Sequence, residues 1–454
     1  MSKLIKLTPF LLAVFPVIFL YNQNKNEIGY QVLWWPLFFV IILAGIIFFA
    51  VHFFERNPAK TVLISSLAIV ILLYYGFSYD AAYDSEFYGI VWGRHKYLFP
   101  LWVFVGSGCL YWLKITRRNL DNMLQAVCFS VFVMVFMPIW GIAYHNLIKP
   151  DIKTKTVSSE LDNSHTDDSQ RIGPVAPLPD IYFIIPDAYA GPKILEKYFD
   201  FNNKEFTSNL KKNGFEIAKN SKSSYPITYF SVASTLNMEY INYLSDILGR
   251  DSSDYKPMRQ LFNDNRVLRQ LRTAGYKYVH LDSDYTTFLE GDPYAVETPT
   301  DIFARMLMKL TILRPFGGRY GFKESAINDR LRDNILGVFE SLEKTAAEDG
   351  EPKFVFAHIT APHGPYVFDR EGGKVSAQFS SNIEEMDYFL DQSIFVNNKL
   401  TTLVDKILSN SKVPPIIIIQ SDHGFYVPPE ILTVPNYDTI KFNIRMVNFA
   451  AYYL

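Results

Sequence analysis

Cysteine is almost absent from this 454-residue chain. Cys109 and Cys128 are its two, both inside apolar runs. No disulfide framework is therefore available to the later part of the chain, and cysteine usage gives no compartment signal there. Net charge is also missing: 44 Lys and Arg against 46 Asp and Glu leave −2. Nucleic acid is not an implied partner, and nothing points to electrostatic capture of a polyanion. Internal repeats and low-complexity tracts are lacking. Long apolar runs are nearly absent after residue 150, so the later part reads as soluble.

What the first 149 residues hold is the reverse. Leu4–Tyr21, Leu33–Phe54, Thr61–Tyr79, Tyr97–Leu113 and Met123–Tyr144 could each cross a bilayer, which takes roughly 20 apolar residues. The first is expected to be retained, because Pro16-Val17-Ile18-Phe19-Leu20 offers no small-residue cleavage site. With a cytoplasmic N-terminus, Lys3, Lys6, Arg56, Lys60, Lys114, Arg117 and Arg118 fall inside. Only Lys25, Arg94 and Lys96 fall outside. Basic residues favour the cytoplasmic side, and an odd number of spans then puts everything after Tyr144 outside the cytoplasm. The expected location is the inner (plasma) membrane, multi-pass, with the soluble half periplasmic or extracellular. Trp34, Trp35, Trp92, Trp102 and Trp112 lie near span ends, as amphipathic aromatics should. Residues 150–178 are polar, with Pro174 and Pro177, and read as a flexible linker.

From Pro179 onward, strand-like and helix-like segments alternate. Ile181–Ile185, Phe215–Ala218, Tyr276–Leu281, Lys353–His358 and Pro415–Gln420 read as strands. Phe201–Asn213, Met258–Ala274, Ala326–Ala346 and Glu384–Leu408 read as helices. The expected fold is α/β: five N-terminal transmembrane helices, then a soluble α/β sandwich with a mainly parallel sheet covered by helices on both faces. The expected domains are 1–149, a linker at 150–178, and 179–454.

Open α/β sheets keep their sites at the carboxyl ends of strands. Asp187 follows Ile181–Ile185. His363, in Ala361-Pro362-His363-Gly364-Pro365-Tyr366, follows the strand that ends at His358. Asp422 and His423, in Ser421-Asp422-His423-Gly424, follow Pro415–Gln420. Carboxylate oxygen and imidazole nitrogen are both good ligands for a divalent cation. Singly, each residue reads as a cap or a surface loop. Together, at three strand ends of one sheet, they suggest a metalloenzyme. A nucleophile is available in the hydroxyl-rich segment Ser221–Met238, where Pro226 could open a helix. Thr228 would then lie in its first turn, where backbone N–H groups favour an anionic ester.

These residues together resemble the sulfatase/alkaline phosphatase superfamily, in particular its membrane-bound branch of lipoteichoic acid synthases and lipid A phosphoethanolamine transferases. Ser-Asp-His-Gly after an apolar strand carries most of the resemblance, and the Pro-His-Gly-Pro-Tyr loop adds to it. The branch has five membrane helices, a linker and an extracytoplasmic α/β domain. The resemblance implies one divalent ion, zinc, manganese, magnesium or calcium, held by Asp187, Asp422, His423 and the Thr228 oxygen. It implies that Thr228 is the nucleophile and that His363 contacts the transferred group or protonates the leaving oxygen. His358 is a further candidate contact, and Ser231 and Ser224 are the fallback nucleophiles. The Cys-x-Pro-x-Arg sequence of true sulfatases is missing, and threonine cannot yield formylglycine. Family members usually continue with another strand and helix beyond the position of Leu454, which implies truncation at the C-terminus. The expected activity is transfer or hydrolysis of a phosphodiester-linked head group. A membrane phospholipid would be the donor, and an envelope glycan, lipid or polymer the acceptor. The alternatives are a sulfatase-like sulfuric ester hydrolase and a non-catalytic envelope protein.

Overall fold

The computed structural model describes residues 3–25, 28–83, 85–87, 90–147, 178–250, 252, 256–283, 299–319, 324–375, 381–428 and 437–454. The linker expected over 150–178 lies outside them except for its last residue. The chain divides into two compact units. One is Met1–Lys155 with Glu297–Lys323; the other is Thr156–Val296 with Glu324–Leu454.

In the first unit, Ile5–Asn24, Tyr30–Phe54, His95–Ile115 and Asp121–Tyr144 are long and apolar enough to cross a membrane. Trp34, Phe39, Phe49 and Phe53 point outward and are exposed, which suits hydrocarbon chains and not water. The remaining expected span, Thr61–Tyr79, is broken. It forms two helices, Pro58–Leu73 and Tyr75–Ala82, bent by 54°, and makes a fifth span only if the pair is counted as one. Tyr74 leaves helical geometry at the break, with φ −119° and ψ 4°. The helix Pro299–Leu310 lies against this bend. A Cβ on Gly76 would sit 2.2 Å from the Lys309 carbonyl oxygen and 2.4 Å from the Leu310 Cα, so only glycine allows the approach. Phe303 and Leu310 are buried among the membrane helices with Leu73 and Ile69. Ile312 N–H donates to the Leu72 carbonyl at 2.8 Å. Arg314 pairs with Asp80 at 2.7 Å and lies 4.2 Å over the Tyr79 ring.

The second unit is built on a six-stranded sheet. Its strands are β3 (Ile181–Pro186), β4 (Glu216–Ile217), β5 (Lys277–Asp282), β6 (Lys353–Ile359), β7 (Ile416–Gln420) and β8 (Ala450–Tyr453), after a short hairpin, β1 (Glu86–Phe87) and β2 (Ile90–Val91), in the first unit. The order is β4-β8-β7-β3-β6-β5. Strands β5, β6, β3 and β7 run parallel, while β8 pairs antiparallel with β7 and β4. The strands are continuous apolar runs because both faces are covered. Side chains alternate between the faces. Tyr182, Ile184, Val355 and Ala357 enter one core with Phe389, Leu400 and Val404 of the helix Asn382–Asn410. Phe183, Ile185, Phe354 and Phe356 enter the other, with Val232, Phe262 and Leu268.

The single helix expected over Met258–Ala274 is two, Lys256–Asn263 and Arg266–Thr273. Asn265 divides them: its side chain accepts from Leu268 N–H at 2.8 Å, an N-cap bond that starts a new helix.

Candidate active site

The parallel strands bring their carboxyl ends to one edge of the sheet. Asp187 follows β3, and its N–H donates to the carbonyl of Ile359, the last residue of β6, at 2.9 Å. Ala188 adopts φ 60°, which turns its N–H onto Asp422 Oδ1 at 3.1 Å. His423 N–H donates to the same oxygen at 2.8 Å. Ser421 Oγ accepts from Tyr189 N–H at 2.8 Å. These bonds hold Asp422 by one oxygen. Its Oδ2 and Asp187 Oδ1 are buried with no hydrogen-bond partner.

His423 Nδ1 lies 2.9 Å from the Gly424 carbonyl oxygen. A carbonyl only accepts, so Nδ1 carries the proton and Nε2 the lone pair. That Nε2 is 3.4 Å from Asp422 Oδ2 and 3.7 Å from Asp187 Oδ1. One ligand atom from each of Asp187, Asp422 and His423 lies within 4.8 Å of the others. Buried acceptors without donors need an explanation. Two carboxylate oxygens and an imidazole lone pair converging on one point fit a divalent cation.

The two carboxyl groups titrate as a pair. Burial and the charge of Asp422 raise the Asp187 pKa. Burial works the same way on Asp422, but His423, His358, the Thr228 hydroxyl and the Ala188 amide outweigh it and lower its pKa.

Thr228 is the first residue of the helix Thr228–Asn237, after an extended Ile227. Its Oγ1 is 3.3 Å from His423 Nε2. That oxygen belongs to the first turn of a helix, where the helix dipole favours an anionic group. Ser231, one turn on, donates its hydroxyl to the Asp422 carbonyl at 2.6 Å and so braces the loop. No described contact brings Ser224 to the carboxylates.

His358, next to last in β6, is wholly buried and does not line the adjoining cavity. Its Nδ1 is 3.3 Å from Asp282 Oδ1, and its Nε2 is 3.8 Å from Asp187 Oδ2. It bridges two carboxylates and is a positioning residue rather than a substrate contact. Burial opposes its charge, yet the Asp282 hydrogen bond and the charges of Asp282, Asp187 and Asp422 prevail and raise its pKa from 6.5 to about 9. The folded value exceeds the unfolded one, so the stabilisation is full below pH 6.5 and is lost as pH rises through about 9. Melting temperatures of chelator-treated protein should fall across that window. The same window should be flat in His358→Gln; an unchanged slope in the variant would refute this account of the histidine.

His363 lies in the loop after β6. Its N–H donates to the Asp187 carbonyl at 3.2 Å, and its Nδ1–H donates to the Gly364 carbonyl at 2.6 Å. The buried Gln392 side chain donates to the His363 carbonyl at 2.9 Å. Its ring lies 6.4 Å from that of His423 and lines a cavity of about 660 Å³.

Arg445 also lines that cavity, and sequence reasoning missed it. It ends the helix Tyr437–Arg445, and its Nη2 is 3.3 Å from His423 Nε2. The Gly424 N–H donates to the Arg445 carbonyl at 2.5 Å. A Cβ on Gly424 would lie 2.4 Å from the Val447 carbonyl oxygen. Gly424→Ala must therefore push the Asp-His loop away from the segment that leads into β8. The expected cost is about 2 kcal/mol in denaturant unfolding, together with weaker metal binding by calorimetry. Wild-type values in both would contradict this packing.

No family model matches the chain, and no curated protein matches it. Among solved structures, the C-terminal periplasmic domain of EcEptC from Escherichia coli, in complex with zinc, matches at 12% identity. It covers 61% of this chain and 72% of its own, with a TM-score of 0.40. The integral membrane protein lipooligosaccharide phosphoethanolamine transferase A from Neisseria meningitidis matches at 12% identity over 100% of this chain and 88% of its own, TM-score 0.38. The lipoteichoic acid synthase LtaP from Listeria monocytogenes matches at 11% identity over 60% of this chain and 64% of its own, TM-score 0.34. These likenesses are distant, and the chemistry that follows rests on this chain's own residues.

Proposed function

We propose that this protein is a membrane-anchored, metal-dependent enzyme of the sulfatase superfamily type. It transfers or hydrolyses a phosphodiester-linked head group through Thr228. One observation carries the reading: Asp187, Asp422 and His423 present ligand atoms within 4.8 Å of one another, with Thr228 Oγ1 3.3 Å from His423 Nε2 at a helix N-terminus. Asp187, Asp422, His423 and the Thr228 oxygen would hold the ion. Bound there, a divalent cation supplies Lewis acidity that lowers the hydroxyl pKa and offsets anionic charge.

The chain's own groups do the rest. The Thr228 hydroxyl gives up its proton to solvent and its oxygen attacks phosphorus, forming the phosphorus–oxygen bond to Thr228. The bond from phosphorus to the lipid alkoxide breaks, and that oxygen takes a proton from His363. An acceptor hydroxyl or water then gives its proton to His363 and attacks the phospho-threonine, the bond from phosphorus to Thr228 Oγ1 breaks, and that oxygen takes back a proton. Arg445 faces the phosphoryl oxygens as a charged donor. A phospholipid donor and an envelope glycan, lipid or polymer acceptor fit a site tethered to a membrane unit, with the soluble half periplasmic or extracellular.

Intact mass spectrometry tests this on the detergent-solubilised full chain, metal-loaded and incubated with mixed phospholipid vesicles. The expected result is an added head-group phosphate mapped to Thr228. Absence of any adduct, with metal bound, overturns covalent transfer.

A further inference from the structure

Asp282 closes β5 at the same edge of the sheet, and the reaction proposed at Thr228 makes no use of it. It is 2% exposed. Burying a carboxylate is costly unless it is paired. Parallel pairing sets Asp282 directly beside His358 on β6, and His358 beside Ile185 on β3. Three neighbouring strands therefore bring together an acid, an imidazole and, just past Ile185, the ligand candidate Asp187. The register becomes a chain of side chains. Asp282 Oδ1 lies 3.3 Å from His358 Nδ1, and His358 Nε2 lies 3.8 Å from Asp187 Oδ2.

The two oxygens of Asp187 face different neighbours. Oδ1 has no hydrogen-bond partner and faces His423 Nε2 at 3.7 Å, on the side of the ligand cluster. Oδ2 faces His358. The setting of the His358 ring thus bears on which Asp187 oxygen is left for an ion. An imidazole ring is held by the hydrogen bond that its other nitrogen makes. An ionised carboxylate only accepts, so Asp282 keeps Nδ1 as the donor and aims Nε2 at Asp187. The corner is closed by its neighbours. Thr360 N–H donates to Ser283 Oγ at 2.7 Å, and Ser283 N–H donates to the His358 carbonyl at 3.1 Å. A second imidazole, His280, has its Nε2 3.9 Å from Asp282 Oδ2, and its Nδ1 lies 3.1 Å from the Tyr278 hydroxyl. That longer contact joins residues of β5 alone and does not reach Asp187. Mere neutralisation of a buried charge would also pair Asp282 with His358, but it has no consequence at the ion.

We infer that Asp282 is a positioning residue for the metal centre: through the ring of His358 it fixes Asp187 so that Oδ1 is presented to the cation. This rests on the reading of Asp187, Asp422 and His423 as the ligands.

The test is a metal titration of the detergent-solubilised full chain. Zinc affinity is read by competition with a chelating dye, and the geometry of the centre by the visible absorption of bound cobalt. Asp282→Asn keeps the shape of the side chain and is expected to weaken zinc binding by about tenfold or more, as loss of an outer partner of a metal ligand does. The cobalt bands should change with it. His358→Gln should do the same. The double variant should lie within about twofold of the weaker single variant, because both act along one path. Ser283→Ala loosens the same corner without touching the carboxylate; it should lower the melting temperature and leave zinc affinity near wild type. If Asp282→Asn does not fold, Asp282→Ser takes its place under the same criteria. A folded Asp282 variant with wild-type affinity and cobalt spectrum overturns the inference. So do effects that multiply in the double variant, or a Ser283→Ala loss as large as that of Asp282→Asn. Each of these leaves the metal reading standing. A wild type that binds neither zinc nor cobalt overturns that reading, and the inference with it.

Discussion

Thr228→Ala is expected to abolish the covalent adduct and to cut turnover on the order of a thousandfold or more, as removal of a nucleophile does. Metal content should fall far less, because Asp187, Asp422 and His423 remain. The geometry leaves no ready substitute. Ser231 spends its hydroxyl proton on the Asp422 carbonyl at 2.6 Å. Thr228→Ser keeps an oxygen at the helix start and should retain part of the activity. Single-turnover assays with mass detection separate these outcomes. An adduct persisting in Thr228→Ala would move the nucleophile elsewhere and sink the assignment.

Metal should stabilise the protein strongly, and Asp187→Asn should invert the pattern. In the metal-free chain, two carboxyl groups face one another in a buried site, and the Asp187 pKa is raised by that burial and by Asp422. Removing its charge relieves the repulsion, so the metal-free variant should melt above the metal-free wild type. A cation bound at about a hundred times its Kd adds roughly 2.7 kcal/mol to the wild type. The variant loses a ligand and should show almost no such gain. Thermal melts in detergent, with and without chelator, read both signs. A wild type indifferent to zinc, manganese, magnesium and calcium would remove the metal from the scheme.

The strand-end residues were legible because their signals are local. An apolar run followed by a polar residue marks a strand end wherever it occurs, and Asp187 and the Asp422-His423 pair have that form. Thr228 was legible through the helix start beside it. Arg445 was not, since it follows His423 by a stretch without pattern and reaches the site only through the fold of Tyr437–Arg445 and the pairing of β8 with β7. Strand β8 itself was missed; its Ala450–Tyr453 run is short, and only its antiparallel pairing with β7 and β4 makes it a strand. The helix break at Asn265 had a readable cue in Asn263-Asp264-Asn265, where short polar side chains compete for backbone N–H groups. Apolar periodicity on either side concealed it. The bend at Tyr74 had no such cue, because the helices on both sides are hydrophobic and Gly76 matters only once Pro299–Leu310 lies against it.

That last helix bears on how the protein can be handled. A secreted fragment beginning near residue 179 would carry Phe303, Met306, Leu307 and Leu310 without the membrane helices that cover them. Four apolar side chains over about two turns of one amphipathic helix would then seek one another across molecules. A well-behaved soluble preparation calls for excising 299–319 or recoding that face with polar residues. Cutting at the linker alone leaves a sticky patch in the middle of the fragment.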